Sequence, residues 1–179
     1  MKKIGVLFIA LMGFVFPGHS QNNGIGADDD FMKLLIQMGP ELRAPKSVGS
    51  YEMLQNLSSK IDDDLAYKYL WQKNQYVKQE ESECYPIGFV LNKENDIAIL
   101  FFFKGPASNL AFFVDVQTYN YKKGKLIDQL IAVAGFAKDN SACNLFVTNP
   151  NLMQLRTVTG FDDTKIDLKI NNKGKIDRN

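Results

Sequence analysis

The second half of the chain is dominated by short runs in which apolar and polar residues alternate. From Tyr76 onward this period of two replaces the helical spacing found earlier. Seven runs predict β-strands: Tyr85–Leu91, Ile97–Lys104, Leu110–Tyr121, Lys125–Val133, Cys143–Thr148, Leu152–Thr159 and Lys165–Ile170. Short segments of turn-forming residues separate them. Because such links join neighbouring antiparallel strands, the pattern predicts an antiparallel β-meander.

The composition of individual strands indicates where each one lies in the sheet. Ile97–Phe103 is apolar at every position, which predicts a strand covered on both faces. Lys165–Ile170 alternates cleanly, so we expect one of its faces to meet water. Leu110–Tyr121 and Lys125–Val133 are the longest strand candidates, and we expect them to form the middle of the sheet.

Two predicted turns have similar sequences. Lys-Lys-Gly-Lys ends at Lys125, and Lys-Gly-Lys ends at Lys175. Both place a glycine, Gly124 or Gly174, where a hairpin loop of three to five residues needs a positive φ. The similarity is interpreted as two hairpins that use the same turn chemistry, since a repeat array would show a fixed period over at least three units.

Residues 31–75 are predicted to be mainly helical. Phe31–Met38 follows the acidic run Asp28–Asp30, which is suited to cap a short helix. Tyr51–Gln72 has apolar residues at three- and four-residue steps and forms one helix or two, with Asp62–Asp64 in a first helical turn. Residues 39–50 are expected to be irregular or a short edge strand.

These patterns predict an α+β fold that is mainly β. The helical segment 31–75 is expected to pack on an antiparallel β part, 76–179, and so to cover one face of the sheet. The sequence leaves open whether the β part is a curled sheet, a sandwich or a partial barrel.

The first twenty residues have the pattern of a cleavable secretory signal. Lys2 and Lys3 precede an apolar run of thirteen residues, Ile4–Phe16, which is too short to span a membrane. Small residues at Gly18 and Ser20 predict cleavage before Gln21. We expect a flexible leader at 21–30, a single domain at 31–179, and a periplasmic or extracellular protein without membrane insertion. A lipoprotein is not expected, since no cysteine lies near the cut.

Composition excludes several chemistries for the mature chain. The chain has one histidine, His19, which lies inside the predicted signal. Catalysis by Ser-His-Asp or Cys-His groups and imidazole metal sites are therefore excluded. The chain has 21 basic and 20 acidic side chains, and loss of Lys2 and Lys3 with the signal leaves 19 basic ones, so the charges are balanced and no nucleic-acid partner is expected. No motif indicates a cofactor or a metal, because neither acidic run has the spacing of a calcium loop.

Cys84 and Cys143 are the only cysteines. In an oxidising compartment they would form a disulfide closing a loop of about 60 residues, or remain as buried apolar thiols. Both alternatives stay open at this point. The acidic residues flanking Cys84, including Glu83, are expected to raise the pKa of its thiol and so to oppose reactivity.

Two groups of residues are candidates for function. Aromatic side chains near the ends of elements suit either a core edge or a binding surface, and these are Trp71, Tyr76, Tyr85, Tyr119 and Tyr121. Asp115 and Asp128 lie on adjacent predicted strands and are the candidate carboxylate pair of a glycosidase, although they need not share a face.

Three segments resemble a known group of sequences. They are Lys68-Tyr69-Leu70, the strand start Tyr85–Gly88 and the hairpin Thr118–Asp128. Over about residues 61–177 the chain resembles uncharacterised exported proteins of Bacteroidetes-type bacteria. The resemblance implies a fold and an export route, and it implies no activity or catalytic position.

The sequence therefore favours an exported, non-enzymatic binding protein for a protein or glycan ligand. One alternative is a carboxylate-based hydrolase acting on an envelope or environmental polymer. Another is a periplasmic inhibitor or immunity protein, which has the same sequence signature as a binding protein. An exposed apolar patch would favour binding, whereas a cleft with two close carboxyl groups would favour hydrolysis.

Overall fold

The computed structural model describes residues 28–49, 59–71, 82–106, 111–136, 142–158 and 163–178. Helix α1 is Asp29–Gln37, and α2 begins as an α-helix at Asp63–Leu65 and continues as a π-helical turn at Ala66–Leu70. The strands are β1 (Lys46–Val48), β2 (Ser82–Asn92), β3 (Ile97–Pro106), β4 (Ala111–Asn120), β5 (Lys125–Phe136), β6 (Ala142–Asn149), β7 (Leu152–Val158), β8 (Asp163–Ile170) and β9 (Ile176–Arg178).

The strands form two antiparallel sheets. The four-stranded sheet has the order β2-β3-β4-β5, and the five-stranded sheet has the order β1-β6-β7-β8-β9. The prediction of a mainly β fold with a helical N-terminal segment is confirmed, and all seven predicted strands are present. Residues 39–50 were expected to be irregular or a short edge strand, and the described part contains β1, which pairs with β6 at the edge of the five-stranded sheet.

Two details of the strand arrangement differ from expectation. The meander divides between β5 and β6, because the chain leaves the first sheet there and builds a second one. The run beginning at Lys125 was expected in the middle of a sheet, but β5 is an edge strand of the four-stranded sheet. Each hairpin is specified by local turn residues, whereas the choice between extending a sheet and starting another depends on which faces must be covered.

The four-stranded sheet is the middle of three layers. One of its faces packs on the five-stranded sheet in the inter-sheet core, which includes Ile99, Phe101, Val116, Leu145, Leu155 and Leu168. The other face packs on the helices in the helix-side core, which includes Phe31, Leu34, Leu70, Leu100, Phe102 and Tyr119. Strand β3 therefore alternates between two cores and is buried on both faces, as its apolar sequence predicts.

Both acidic runs begin helices. The Asp28 carboxylate accepts hydrogen bonds from the backbone amides of Asp30 and Phe31 at 3.1 and 3.2 Å. The Asp62 carboxylate accepts from Asp64 and Leu65 at the same two distances. Each side chain satisfies amides that have no partner inside the helix. The predicted caps are confirmed, and α1 begins before residue 31, so Asp29 and Asp30 belong to the helix rather than to a leader.

Some predictions lie outside the described residues. These include the signal segment, Tyr76 and both flanks of the helical run Tyr51–Gln72, of which α2 is the described part. Neither described helix has the length and apolar character needed to cross a membrane.

Candidate functional site

The candidate aromatic residues do not form one surface. Tyr119 is only 1% exposed, and its hydroxyl lies 2.5 Å from the Tyr69 carbonyl and 2.6 Å from the Gln117 side chain. Its predicted role in a binding surface is wrong, because helix α2 covers this end of β4. Tyr85 packs against the inter-sheet core, whereas Trp71 and Tyr121 pack against the helix-side core. The three half-buried rings thus belong to different sides of the four-stranded sheet.

Trp71 lies over a buried charge. The Lys104 ammonium is 4.4 Å from the centre of the Trp71 ring, 3.1 Å from an Asp115 carboxylate oxygen and 3.0 Å from the Leu70 carbonyl. The Gln129 amide donates to the same carboxylate oxygen at 2.9 Å. The side chains of Lys104 and Asp115 are 4% and 1% exposed, so this ion pair is enclosed by protein.

The pair belongs to a polar network that holds the end of α2. The Leu70 carbonyl also accepts a hydrogen bond from the Gln117 amide at 3.0 Å, and the Tyr69 carbonyl accepts from Tyr119. We call Lys104, Asp115, Gln117, Tyr119 and Gln129 the helix-side polar network. Carbonyls at the end of a helix lack intrahelical partners, and here sheet side chains supply them. The network therefore positions α2 on the sheet.

The two candidate catalytic carboxylates face opposite sides of the sheet. Asp115 pairs with Phe102 across β3 and β4 and faces the helices. Asp128 accepts hydrogen bonds from the backbone amides of Ile176 and Gln129 at 3.1 and 2.9 Å, on the side of the five-stranded sheet. A glycosidase needs both carboxyl groups at one sugar site. The structure does not bring this pair together.

The two cysteines are buried thiols and are not bridged to each other. Cys84 lies in the helix-side core and Cys143 in the inter-sheet core, so the four-stranded sheet separates them. Burial raises the pKa of Cys84 to about 12 and that of Cys143 to about 11. The expected direction for Cys84 is correct, but the main cause is burial rather than the neighbouring glutamates.

A groove of about 560 Å³ lies at the surface between α1 and α2. Asp30, Lys33 and Gln37 line it from α1, and Asp64, Leu65 and Lys68 line it from α2. The backbone amide of Asp62 donates to the Gln37 side-chain oxygen at 2.8 Å, which ties the end of α1 to the start of α2. This inter-helix groove is the candidate binding site.

Charges of both signs border the groove. Lys33 and Lys68 lie 2.9 and 2.8 Å from the two oxygens of Asp30. The hydrogen bonds from Lys68 and then Lys33 lower the pKa of Asp30 to about 2. Asp30 is therefore ionised at neutral pH and accepts hydrogen bonds from both ammonium groups on the rim.

An apolar side chain lies among these charges. Ile36 lines the groove and is 77% exposed, and Tyr67 on α2 is 66% exposed. The aromatic pattern did not identify this site. The sequence contains one feature that points to the groove, because Ile36 lies outside the buried face of α1 formed by Phe31, Leu34 and Leu35. Among the described residues Ile36 is not packed into either core, so it offers an exposed apolar contact on the surface of α1.

Metal binding has no support from the described side chains. Across the described ranges, no three or more His, Cys, Asp and Glu residues are grouped in a way that would hold a metal ion. The acidic runs serve as helix caps and first turns.

Comparisons with protein-family models, with curated proteins and with solved structures find no match to this chain.

Proposed function

We propose that this chain is an exported, non-enzymatic binding protein that recognises a protein partner in the inter-helix groove. The observation that carries the proposal is Ile36, which is 77% exposed at the groove between charged side chains. An apolar centre with a charged rim is the usual composition of a protein–protein contact.

The charged residues around Ile36 support recognition rather than catalysis. Asp30 is neutralised by two lysines, and the Asp62 carboxylate is used as a helix cap. Leu65 forms a half-buried apolar wall. A partner side chain inserted beside Ile36 would be surrounded by Lys33, Lys68 and Asp64, whose opposite charges fix the orientation of the partner. An inhibitor or immunity protein is a special case, in which the partner is an exported enzyme or toxin.

The groove is tested by comparing which partner proteins bind to the immobilised wild-type chain and to matched variants. Exported wild-type protein is immobilised beside Ile36→Asp and beside a control, Leu152→Asp, which changes an exposed apolar residue on β7. We expect partners of the wild type to be retained by the control and to bind Ile36→Asp at least about tenfold more weakly, because the centre of a contact carries most of its energy. If all three proteins capture the same partners equally, the groove is not the binding site.

Export is tested independently. The intact mass of the exported chain is expected to correspond to a start at or within a few residues of Gln21. A mass that still includes Ile4–Phe16 would contradict the proposed processing and leave the groove proposal intact.

A further inference from the structure

Four turns of the sandwich lie together at one end. They connect β2 to β3 (93–96), β4 to β5 (121–124), β6 to β7 (150–151) and β8 to β9 (171–175). The Tyr121 amide donates to the Asp96 carbonyl at 3.0 Å, and the Ile170 amide donates to the Asn151 carbonyl at 2.9 Å. A 2.7 Å hydrogen bond from Asn92 to Asn151 connects the two sheets at this end. We call the four turns the turn end.

The two turns with similar sequences meet here. The Lys175 ammonium donates to the Ile127 carbonyl at 2.8 Å, just after the β4–β5 turn. Both turn glycines have a positive φ, +56° at Gly124 and +78° at Gly174, as the sequence predicts. Folding therefore brings Lys-Lys-Gly-Lys and Lys-Gly-Lys, which lie about fifty residues apart in the chain, to one surface.

The turn end has a surplus of positive charge. Six exposed lysines lie in the turns or next to them: Lys93, Lys122, Lys123, Lys125, Lys173 and Lys175. The carboxylates at this end are Glu94, Asp96, Asp128, Asp177 and Asp28, so the six lysines exceed them by one. Asp96 is paired with Lys122 at 2.9 Å, and Asp128 accepts from a backbone amide. Within the described ranges no hydrogen bond or ion pair engages the ammonium groups of the remaining lysines, 93, 123, 125 and 173.

The lysines are spread over an area that suits an extended ligand. Turns separated by two strands lie roughly 10 Å apart, and two packed sheets are also about 10 Å apart. A polymer with repeated negative charges would contact several ammonium groups at once, and each further contact would be intramolecular. A small anion would engage only one or two of them.

We propose that the turn end binds an acidic polysaccharide. Its lysines would bind the carboxylate groups of the polymer, and its exposed asparagines, such as Asn172, would bind the hydroxyl groups. A membrane surface fits less well, because stable interfacial binding combines basic residues with inserted apolar side chains or a lipid chain. In these turns the only aromatic residue is Tyr121, which is half-buried against the helix-side core. An acidic protein fits less well for a similar reason, since protein contacts have an apolar centre.

The test measures binding of the exported chain to immobilised polygalacturonate, with neutral dextran as the uncharged control. We expect binding to polygalacturonate only, and a strong loss when NaCl rises from about 50 to about 200 mM. The double variant Lys123→Glu/Lys173→Glu changes one lysine in each of the two similar turns. It should bind at least about tenfold more weakly, because two attractive charges become repulsive.

A matched variant distinguishes the effect of the turn-end lysines on binding from the effect of net charge. Lys60→Glu/Lys165→Glu makes the same charge change away from the turn end, beside the start of β2 and in the first half of β8, and should bind within about twofold of the wild type. Circular dichroism checks that both variants are folded. Equal losses in the two variants would overturn the proposal, as would no binding to polygalacturonate. Tighter binding to phosphatidylglycerol vesicles or to polyglutamate than to polygalacturonate would also overturn it.

Discussion

Strand β3 is buried on both faces, but one face packs among apolar residues whereas the other lies beside buried polar and charged groups. On the inter-sheet side Ile97, Ile99, Phe101 and Phe103 pack among apolar residues of the opposite sheet. On the helix side Ala98, Leu100 and Phe102 lie beside the Lys104–Asp115 ion pair and the rest of the helix-side polar network. The same ten-residue strand thus contributes to an apolar core and to a core that contains a buried network.

The difference shows how each layer is positioned. Two sheets meet along long complementary faces, and apolar burial over that area is sufficient to hold them. The π-helical turn Ala66–Leu70 is only five residues long, and its last carbonyls need hydrogen-bond partners. Buried polar groups cost free energy when they lose their partners, so the network favours the observed position of α2. We therefore expect apolar truncations and charge deletions to have different, separable effects.

The largest effect is expected in the inter-sheet core. Phe101→Ala should lower the free energy of unfolding by about 3–5 kcal/mol, because a rigid cavity remains between two sheets. The matched change Phe102→Ala, one residue along the strand, should cost about 3 kcal/mol, since the short α2 segment can shift toward the space. Urea melts of both variants measure this. A larger loss for Phe102→Ala would show that the helical layer is the more rigid one.

The second effect concerns the ion pair. Asp115→Leu should cost about 3 kcal/mol or more, because it leaves the Lys104 ammonium buried without its carboxylate. The double variant Lys104→Met/Asp115→Leu should return to within about 2 kcal/mol of the wild type, since an apolar pair replaces the ion pair. Urea melts and a double-mutant cycle test this expectation. If the double variant is as unstable as Asp115→Leu, the cost does not come from the isolated charge.

A smaller effect is expected where the helical layer meets the turn end. Gly124→Val should cost about 1–2 kcal/mol, because the residue has a φ of +56° and an added Cβ would lie 2.8 Å from an Asp28 oxygen. Lys123→Ala, at the exposed neighbouring position, should change stability by less than about 0.5 kcal/mol. Equal urea midpoints for the two variants would contradict the turn geometry.

The smallest expected effect is the difference in stability loss between variants of the two helix caps. Asp28→Ala should cost about 1 kcal/mol at pH 7, and Asp62→Ala somewhat less. Both side chains cap a helix, but only Asp28 also accepts a 2.8 Å hydrogen bond from the Tyr69 hydroxyl. Thermal melts of the two variants against the wild type measure the difference, and a larger loss for Asp62→Ala would contradict it.

The Asp28 contribution should also depend on pH. The hydrogen bond from Tyr69 lowers the pKa of Asp28 below its usual value. A lowered folded-state pKa gives stability that is complete above the unfolded value of about 4 and is lost as the pH falls through the folded value. The difference between wild type and Asp28→Ala should therefore shrink below about pH 4. A difference that stays constant down to pH 2 would show that the ionised carboxylate contributes nothing.

The elements of the β part could be predicted because their signals are local. Alternation along Lys165–Ile170 and the apolar run Ile97–Phe103 fix strand identity and burial without reference to the rest of the chain. The positive φ values at Gly124 and Gly174 follow from loop length. The buried position of Tyr119 could not be predicted in this way, because it depends on a helix some fifty residues earlier in the chain.

The candidate sites depended more strongly on tertiary structure. From their aromatic side chains, Trp71, Tyr85 and Tyr121 are candidates for a binding surface, but their rings pack against different cores. The groove is instead bounded by two short helices whose relative position is set by contacts such as the 2.8 Å bond between Asp62 and Gln37. The sequence shows each helix as amphipathic, but it does not show which exposed residue of one lies beside which residue of the other.

The sequence by itself determined the strands, the helix caps, the turn glycines and the absence of histidine chemistry after residue 19. Each of these depends on residue type and on spacings of a few positions. Only the tertiary structure decided that β5 ends one sheet, that Cys84 and Cys143 lie in different cores, and that two lysine-rich turns meet. The physical reason is that sheet division and layer packing minimise exposed apolar area over the whole chain, and no local segment carries that information.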